Sequence, residues 1–213
     1  YLGATGRIDE ALAEANRALE LDPLSMVING NVAYFYLVKG DLDAAIERSR
    51  EMVELDSSFP SGHLYLGMAY LKQGHTNEGL AETQKAVELA GRSSEFLGYL
   101  GYANAVGGKR AEAVAIIKEL EGRFAARAAV GSHLALVYAG LGDKDQAFNS
   151  LEKGYQDRIP KMAFLKIEPF FDDLRSDARF AALVRRIEEE LSDLLTAEVE
   201  VRVAQREEEE AVR

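Results

Sequence analysis

The sequence has 213 residues, 47% hydrophobic and 29% charged, with 18 Gly, 4 Pro, no Cys and no Trp. Its apolar content excludes a disordered chain, and zero cysteine excludes disulfides, thiolate metal sites and cysteine nucleophiles while leaving the compartment open, with the cytoplasm favoured. A net charge of −11 argues against nucleic-acid binding, which needs clustered Lys and Arg, and no window approaches 18 uncharged apolar residues, so no span is expected. The chain opens at Tyr1 as if cut from something longer.

Along the chain, Gly6, Gly40, Gly74, Gly108 and Gly142 recur every 34 residues. Five residues after each stand Ala11, Ala45, Gly79, Ala113 and Ala147, and four before each stand Leu2, Tyr36, Tyr70, Asn104 and Tyr138. Ala33, Gly67, Gly101 and Ala135 hold a fourth column, each preceded by an aliphatic residue. Registers this regular mean stacked structural repeats.

Between the glycines the apolar residues follow helical spacing, so each unit predicts helix, Gly-containing turn, helix. The glycine accepts the left-handed conformation that ends the first helix. Asp41, Thr76 and Asp143 are candidate N-caps of the second helices, and Asp143 with Gln146 forms a capping-box pattern. Small residues let two antiparallel helices approach closely, and the tyrosines fill the space beside them. One such pair cannot bury its apolar face alone, so neighbours must stack.

These columns resemble the tetratricopeptide repeat, a 34-residue helix-turn-helix. Leu66 to Gly74 (LGMAYLKQG) and Ala11 to Pro23 (ALAEANRALELDP) carry the match. Gly79, Asn104, Ser57 and Gly91 depart from the family pattern, and Glu121-Gly122-Arg123 implies a distorted junction near 121–127. The resemblance implies an all-α, α-α solenoid, a right-handed superhelix of antiparallel helix pairs over residues 1–157, with a partial first repeat.

Leu151 to Ile187 is similar to the segment that closes many bacterial arrays of this family, where the array follows a DNA-binding, kinase or cyclase domain. We expect a capping segment and helix over 158–187, with Phe164, Leu165, Ile167, Phe170, Phe171 and Leu174 covering the edge of the last helix pair. Ser176 should start a final helix on the stripe Phe180, Leu183, Val184, Ile187. Residues 188–213 hold ten acidic and three basic side chains, −7 of the −11. They read as a continuing or fraying helix, either a solvated tail or a dimerising one.

Chemistry is sparse. His63, His75 and His133 form no metal-binding spacing, and Gly107-Gly108-Lys109 lacks the first Gly, the Ser/Thr and the strand of a phosphate-binding loop. The paired carboxylates Asp41/Asp43, Asp143/Asp145 and Asp172/Asp173 fall at expected helix starts, where the macrodipole favours them. No enzyme, cofactor or metal is expected. The family's geometry instead implies a peptide-binding groove that includes Asn31, Tyr34, Tyr65, Met68, Leu71, Lys72, Tyr99, Tyr102, His133 and Leu136, although these positions also suit packing between repeats. A basic clamp for a C-terminal carboxylate is absent apart from Asn31, since Val27, Ser61, Tyr65, Glu95 and Tyr99 hold the other relevant positions. The sequence thus points to a scaffold for a protein or peptide partner. Alternatives are a regulatory tail acting on a fused N-terminal effector domain, or a spacer that forms homodimers through its C-terminal helix.

Overall fold

The computed structural model describes residues 2–125 and 131–193. Its helices run in chain order as α1 (Ile8–Leu21), α2 (Met26–Lys39), α3 (Leu42–Leu55), α4 (Pro60–Gln73), α5 (Thr76–Leu89), α6 (Ser94–Val106), α7 (Arg110–Ala125), α8 (Gly131–Gly140) and α9 (Lys144–Gln156). Two 3₁₀ stretches follow, Pro160–Ile167 and Pro169–Leu174, then a final helix α10 over 178–193. This is an all-α, α-α solenoid: α2/α3, α4/α5, α6/α7 and α8/α9 are the pairs, and α2, α4, α6 and α8 pack side by side along one inner face.

The repeat columns are explained by two local constraints. Gly40 and Gly74 end α2 and α4 at φ +82° and +89°, a conformation that a side chain would strain, and the same positive φ recurs at the other three turn glycines. Inside the helices, small residues set how closely helices meet. A Cβ on Gly67 would lie 2.6 Å from Thr83 Oγ1 and 2.9 Å from the Thr83 backbone nitrogen, so α4 and α5 touch backbone to backbone there. Gly79, where the family pattern has Ala, sits on the same contact, against Leu71. Leu71 therefore belongs to the α4–α5 seam, not to the groove expected for it.

Asp41 and Asp143 cap their helices as expected, accepting from the Ala44 and Gln146 amides at 3.3 and 3.1 Å. Thr76 does not: it is the first helical residue of α5, and His75 occupies the cap position without a side-chain bond. Asn104, in the aromatic column, satisfies its amide by donating to the Leu100 carbonyl at 3.0 Å. His63 is a structural histidine, its ring between Glu82 Oε2 (2.7 Å) and the Ser57 carbonyl (3.0 Å). The distorted junction expected near 121–127 falls partly outside the described residues, and α7 runs on to Ala125.

The C-terminal segment covers the last helix pair as expected and also extends beyond it. Arg158, at φ +53°, ends α9, and the two 3₁₀ stretches after it pack on α8 and α9 and continue across the inner face. Residues 160–174 then run over the first helices of several repeats as far as the N-terminal turn, where Lys166 lies against Gly6 and Phe164 against Gly3. The apolar edge of α8 and α9 is covered too, by Phe171, Leu174 and the α10 residues Phe180, Leu183 and Ile187. Helix α10 starts at 178, with Asp177 in place of Ser176 ahead of it; Asp177 accepts from the Arg179 amide at 2.9 Å. Arg186 pairs with both oxygens of Glu152 at 2.8 Å, and Arg179 reaches Asp145 at 2.8 Å, fastening α10 to α9. The helix continues past Ile187 to 193, and the question of a dimerising tail over 194–213 lies outside the described residues.

The seam at Gly67 makes a direct prediction. Gly67→Ala should lower stability by about 1–3 kcal/mol through overpacking against backbone, despite the better helix propensity of Ala. Urea unfolding followed by circular dichroism measures it, and an unchanged or raised midpoint would contradict the close approach.

Candidate functional site

The inner face is where the repeats present side chains that the helix-helix seams do not consume. The side formed by the C-terminal turns of α2, α4 and α6 is filled by the chain itself. Phe170 enters between Tyr99 and Tyr102, with ring centroids 6.0 and 4.5 Å away. Lys72 donates to the Pro169 carbonyl at 2.9 Å and to Asp172 at 2.5 Å. Asp172, in the first turn of the second 3₁₀ stretch as expected of a helix start, is thus bound across the groove and also by Arg175.

Burial of rings and aliphatic chains, rather than charge, holds this segment down. Met162, Leu165, Ile167, Phe170, Phe171 and Leu174 are all buried. At about 1.5–3 kcal/mol each, their gross burial far exceeds the roughly 0–1 kcal/mol of a partly exposed pair such as Lys72–Asp172. Chain ordering offsets much of that gain. The comparison still makes the segment part of the fold rather than a loosely tethered arm.

A chain of polar contacts joins the segment to α6. Lys161 donates to Glu95 Oε1 at 2.7 Å and to the Tyr99 hydroxyl at 2.9 Å. Tyr99 in turn donates to Glu168 Oε2 at 2.9 Å. Burial pushes the Glu168 carboxyl above its ordinary range, against the pull of Lys161, the Tyr99 hydroxyl and the Phe170 amide. Burial also works against Glu95, but the Lys161 ammonium outweighs it and its pKa falls. Tyr34 and Tyr99 are held well above the usual phenol range by burial first and Glu168 second. Tyr102 is pushed up to about 12 by burial, with Asp173 and Asp172 adding to it.

What stays open is the side formed by the N-terminal turns of α2, α4 and α6. There, between the repeats and the returning segment, lies a cavity of about 450 Å³. Asn31 and Tyr34 from α2, Ser61 and Tyr65 from α4, and Glu95 and Tyr99 from α6 form its repeat side. Pro160, Lys161 and Phe164 from the C-terminal segment form the other wall, so neither part makes the cavity alone. The local sequence accounts for the placement of Tyr65: Gly30 leaves the space that lets this ring lie against α2, 3.1 Å from where a Cβ would stand.

Of the groove residues expected from the sequence, the cavity gathers Asn31, Tyr34, Tyr65 and Tyr99. Lys72 and Tyr102 lie on the same inner face under the 169–172 segment. Met68 and Leu136 are fully buried. His133 is buried behind α6, against Gly98, and burial with the nearby Lys161 lowers its pKa to about 4, so it is neutral near pH 7. Lys161 and Glu168 are absent from the residues expected at the groove; charges interrupting the apolar run of a closing segment are the signal that marks them. Among the described residues no cluster of His, Cys, Asp or Glu could hold a metal, and no helix is long and apolar enough to cross a membrane.

Glu168 gives this arrangement a pH signature. Because its folded pKa is raised, its contribution to stability is fully present below about pH 4.5 and is lost as pH rises through the raised value. The neutral variant Glu168→Gln lacks that loss. Its stability relative to wild type should therefore grow from pH 4.5 to 7, by about 1.4 kcal/mol for each pKa unit of elevation. Thermal melts of both proteins across this range measure the difference, and a pH-independent gap would contradict a buried carboxylate.

Comparison with known proteins agrees with this architecture. A model of the tetratricopeptide repeat matches residues 1–58 and 64–129. A search of curated proteins finds no match. Among solved structures, the chain is similar to a thermophilic TPR protein of Thermus thermophilus, with TM-score 0.59 and 23% identity over 86% of this chain and 93% of that one. It is also similar to a chain of the APC/C hetero-tetramer Cut9–Hcn1, with TM-score 0.54 and 17% identity, covering 86% of this chain and 40% of that one. MamA is a more distant likeness, with TM-score 0.45 and 21% identity over 74% of this chain and 92% of that one. The repeat match, extending over more than half of the sequence and coinciding with the glycine-ended helix pairs, shows that the chain belongs to the tetratricopeptide repeat family.

Proposed function

We propose that this chain is a non-catalytic protein-interaction scaffold that takes a segment of a partner protein in the open half of its inner face. Family membership supports a general protein-binding role. The observation that carries the finer reading is the composite cavity. It is of a size that suits inserted side chains, five of its eleven lining residues are tyrosine or phenylalanine, and it opens on the face that the repeats present. Tyrosine supplies large contact area at low entropic cost, with a hydroxyl to orient the partner.

The same geometry narrows where a partner can lie. Phe170 and its neighbours already fill the space over Tyr99 and Tyr102, so contact there would require undoing the cap. The non-catalytic reading is supported by how the titratable groups are used. Lys161, Glu95, Tyr99 and Glu168 bind one another in contacts that dock the C-terminal segment.

The test is partner capture with the tagged chain and a Tyr34→Ala/Tyr65→Ala variant. Removing two aromatic anchors should weaken capture by about 2–4 kcal/mol, while helical circular dichroism is retained. Undiminished capture by the folded variant would place the binding surface elsewhere.

A further inference from the structure

The cavity has a chemistry that the fold does not use up. The rings of Tyr34 and Tyr65 stand 6.1 Å apart at 46°, two sides of a wedge. Aromatic faces carry the negative end of a quadrupole and attract cations. At the other end of the same cavity the protein has placed a cation of its own: Lys161 Nζ lies 4.7 Å from the centre of the Tyr99 ring, with Glu95 as its counter-ion.

The surrounding charges favour a second cation. The carboxylates of Glu95 and Glu168 stand against the single ammonium of Lys161 along this contact chain. Arg175, whose charge also acts on Tyr34, is engaged by Asp172 and by the main-chain carbonyls of Lys166 and Glu168. Lys161 uses only one oxygen of Glu95, whose side chain is 48% exposed. The hydroxyls of Tyr34 and Tyr65, with Asn31 and Ser61 at the rim, offer acceptors to an ammonium or guanidinium group, which has only donors. An apolar side chain would cover those acceptors without pairing them, and a carboxylate would meet ring faces and Glu95, with Lys161, the cation of the lining, already held by that same Glu95.

We infer that the Tyr34–Tyr65 wedge takes the cationic head of a lysine or arginine side chain from the partner segment, with Glu95 as the shared counter-ion. This rests on the scaffold reading above and adds the chemical class of residue recognised. Lys161 then acts as a built-in competitor, holding the Glu95 carboxylate when no partner is present.

Two small molecules of nearly equal shape test it: choline, and its neutral isostere 3,3-dimethylbutan-1-ol. Each is titrated into the full chain while the tyrosine ring resonances are followed by NMR. Choline should bind about three- to tenfold more tightly than the neutral compound and shift the Tyr34 and Tyr65 rings. Glu95→Gln, an exposed change that leaves packing intact, should weaken choline alone, and Lys161→Met should strengthen it. Equal or tighter binding of the neutral compound, no ring shift with choline, or indifference to both variants would each overturn the inference. Partner capture is a separate readout. Capture lost in the Tyr34/Tyr65 variant without choline preference sinks only the cation, whereas choline preference with undiminished capture sinks only the scaffold surface.

Discussion

The insertion of Phe170 between Tyr99 and Tyr102 is the contact on which the rest of this molecule's surface depends. A stack of helix pairs leaves its inner face lined with aromatic and aliphatic side chains that seek cover. Here the chain supplies that cover itself, turning back after α9 and laying residues 160–174 across the first helices. The ring seats the segment, the Lys72–Asp172 contact fixes its register, and the Lys161–Tyr99–Glu168 series ties the segment to α6. The groove is thereby divided into a filled half and an open half, and a cavity walled from both sides appears where they meet.

This division changes what a solenoid face means as a binding surface. In a bare array every first helix could contribute to recognition. With the segment docked, Lys72, Tyr99 and Tyr102 serve mainly the fold, while Tyr34, Tyr65 and Phe164 line the open cavity. The cost is visible at Glu168, a carboxyl buried to 4% exposure with one oxygen unpaired among the described residues. A buried group of that kind persists when the surrounding rings repay it, and here Phe170 and Phe171 follow it closely in sequence and share its burial.

The legible and illegible parts of the structure separate by the range of the interactions involved. The turn glycines and the small residues of the seams answer to neighbours within one repeat, so each leaves a mark every 34 residues, and those marks suffice to place the helix pairs. Tyr34, Tyr65 and Tyr99 emerge from the same register. The returning segment involves partners 62 residues away at Lys161–Tyr99 and 100 away at Lys72–Asp172, and such contacts leave no period. Its apolar residues read from the sequence as a cover for the last helix pair, which they are, but their extension over α6 and the earlier repeats leaves no mark, because an apolar stripe specifies burial without specifying everything that buries it. Leu71 departs for a related reason: Gly79 opens a hole on α5 that draws it away from the inner face.

The most direct measurement of this account is the proton–proton Overhauser contact between the rings of Phe170 and Tyr102 in the intact chain. With centroids 4.5 Å apart the account predicts strong ring-to-ring cross-peaks and slow amide exchange across residues 165–174. Absent cross-peaks, with those amides exchanging at the rate of free peptide, would show an inner face open along its whole length and would contradict it.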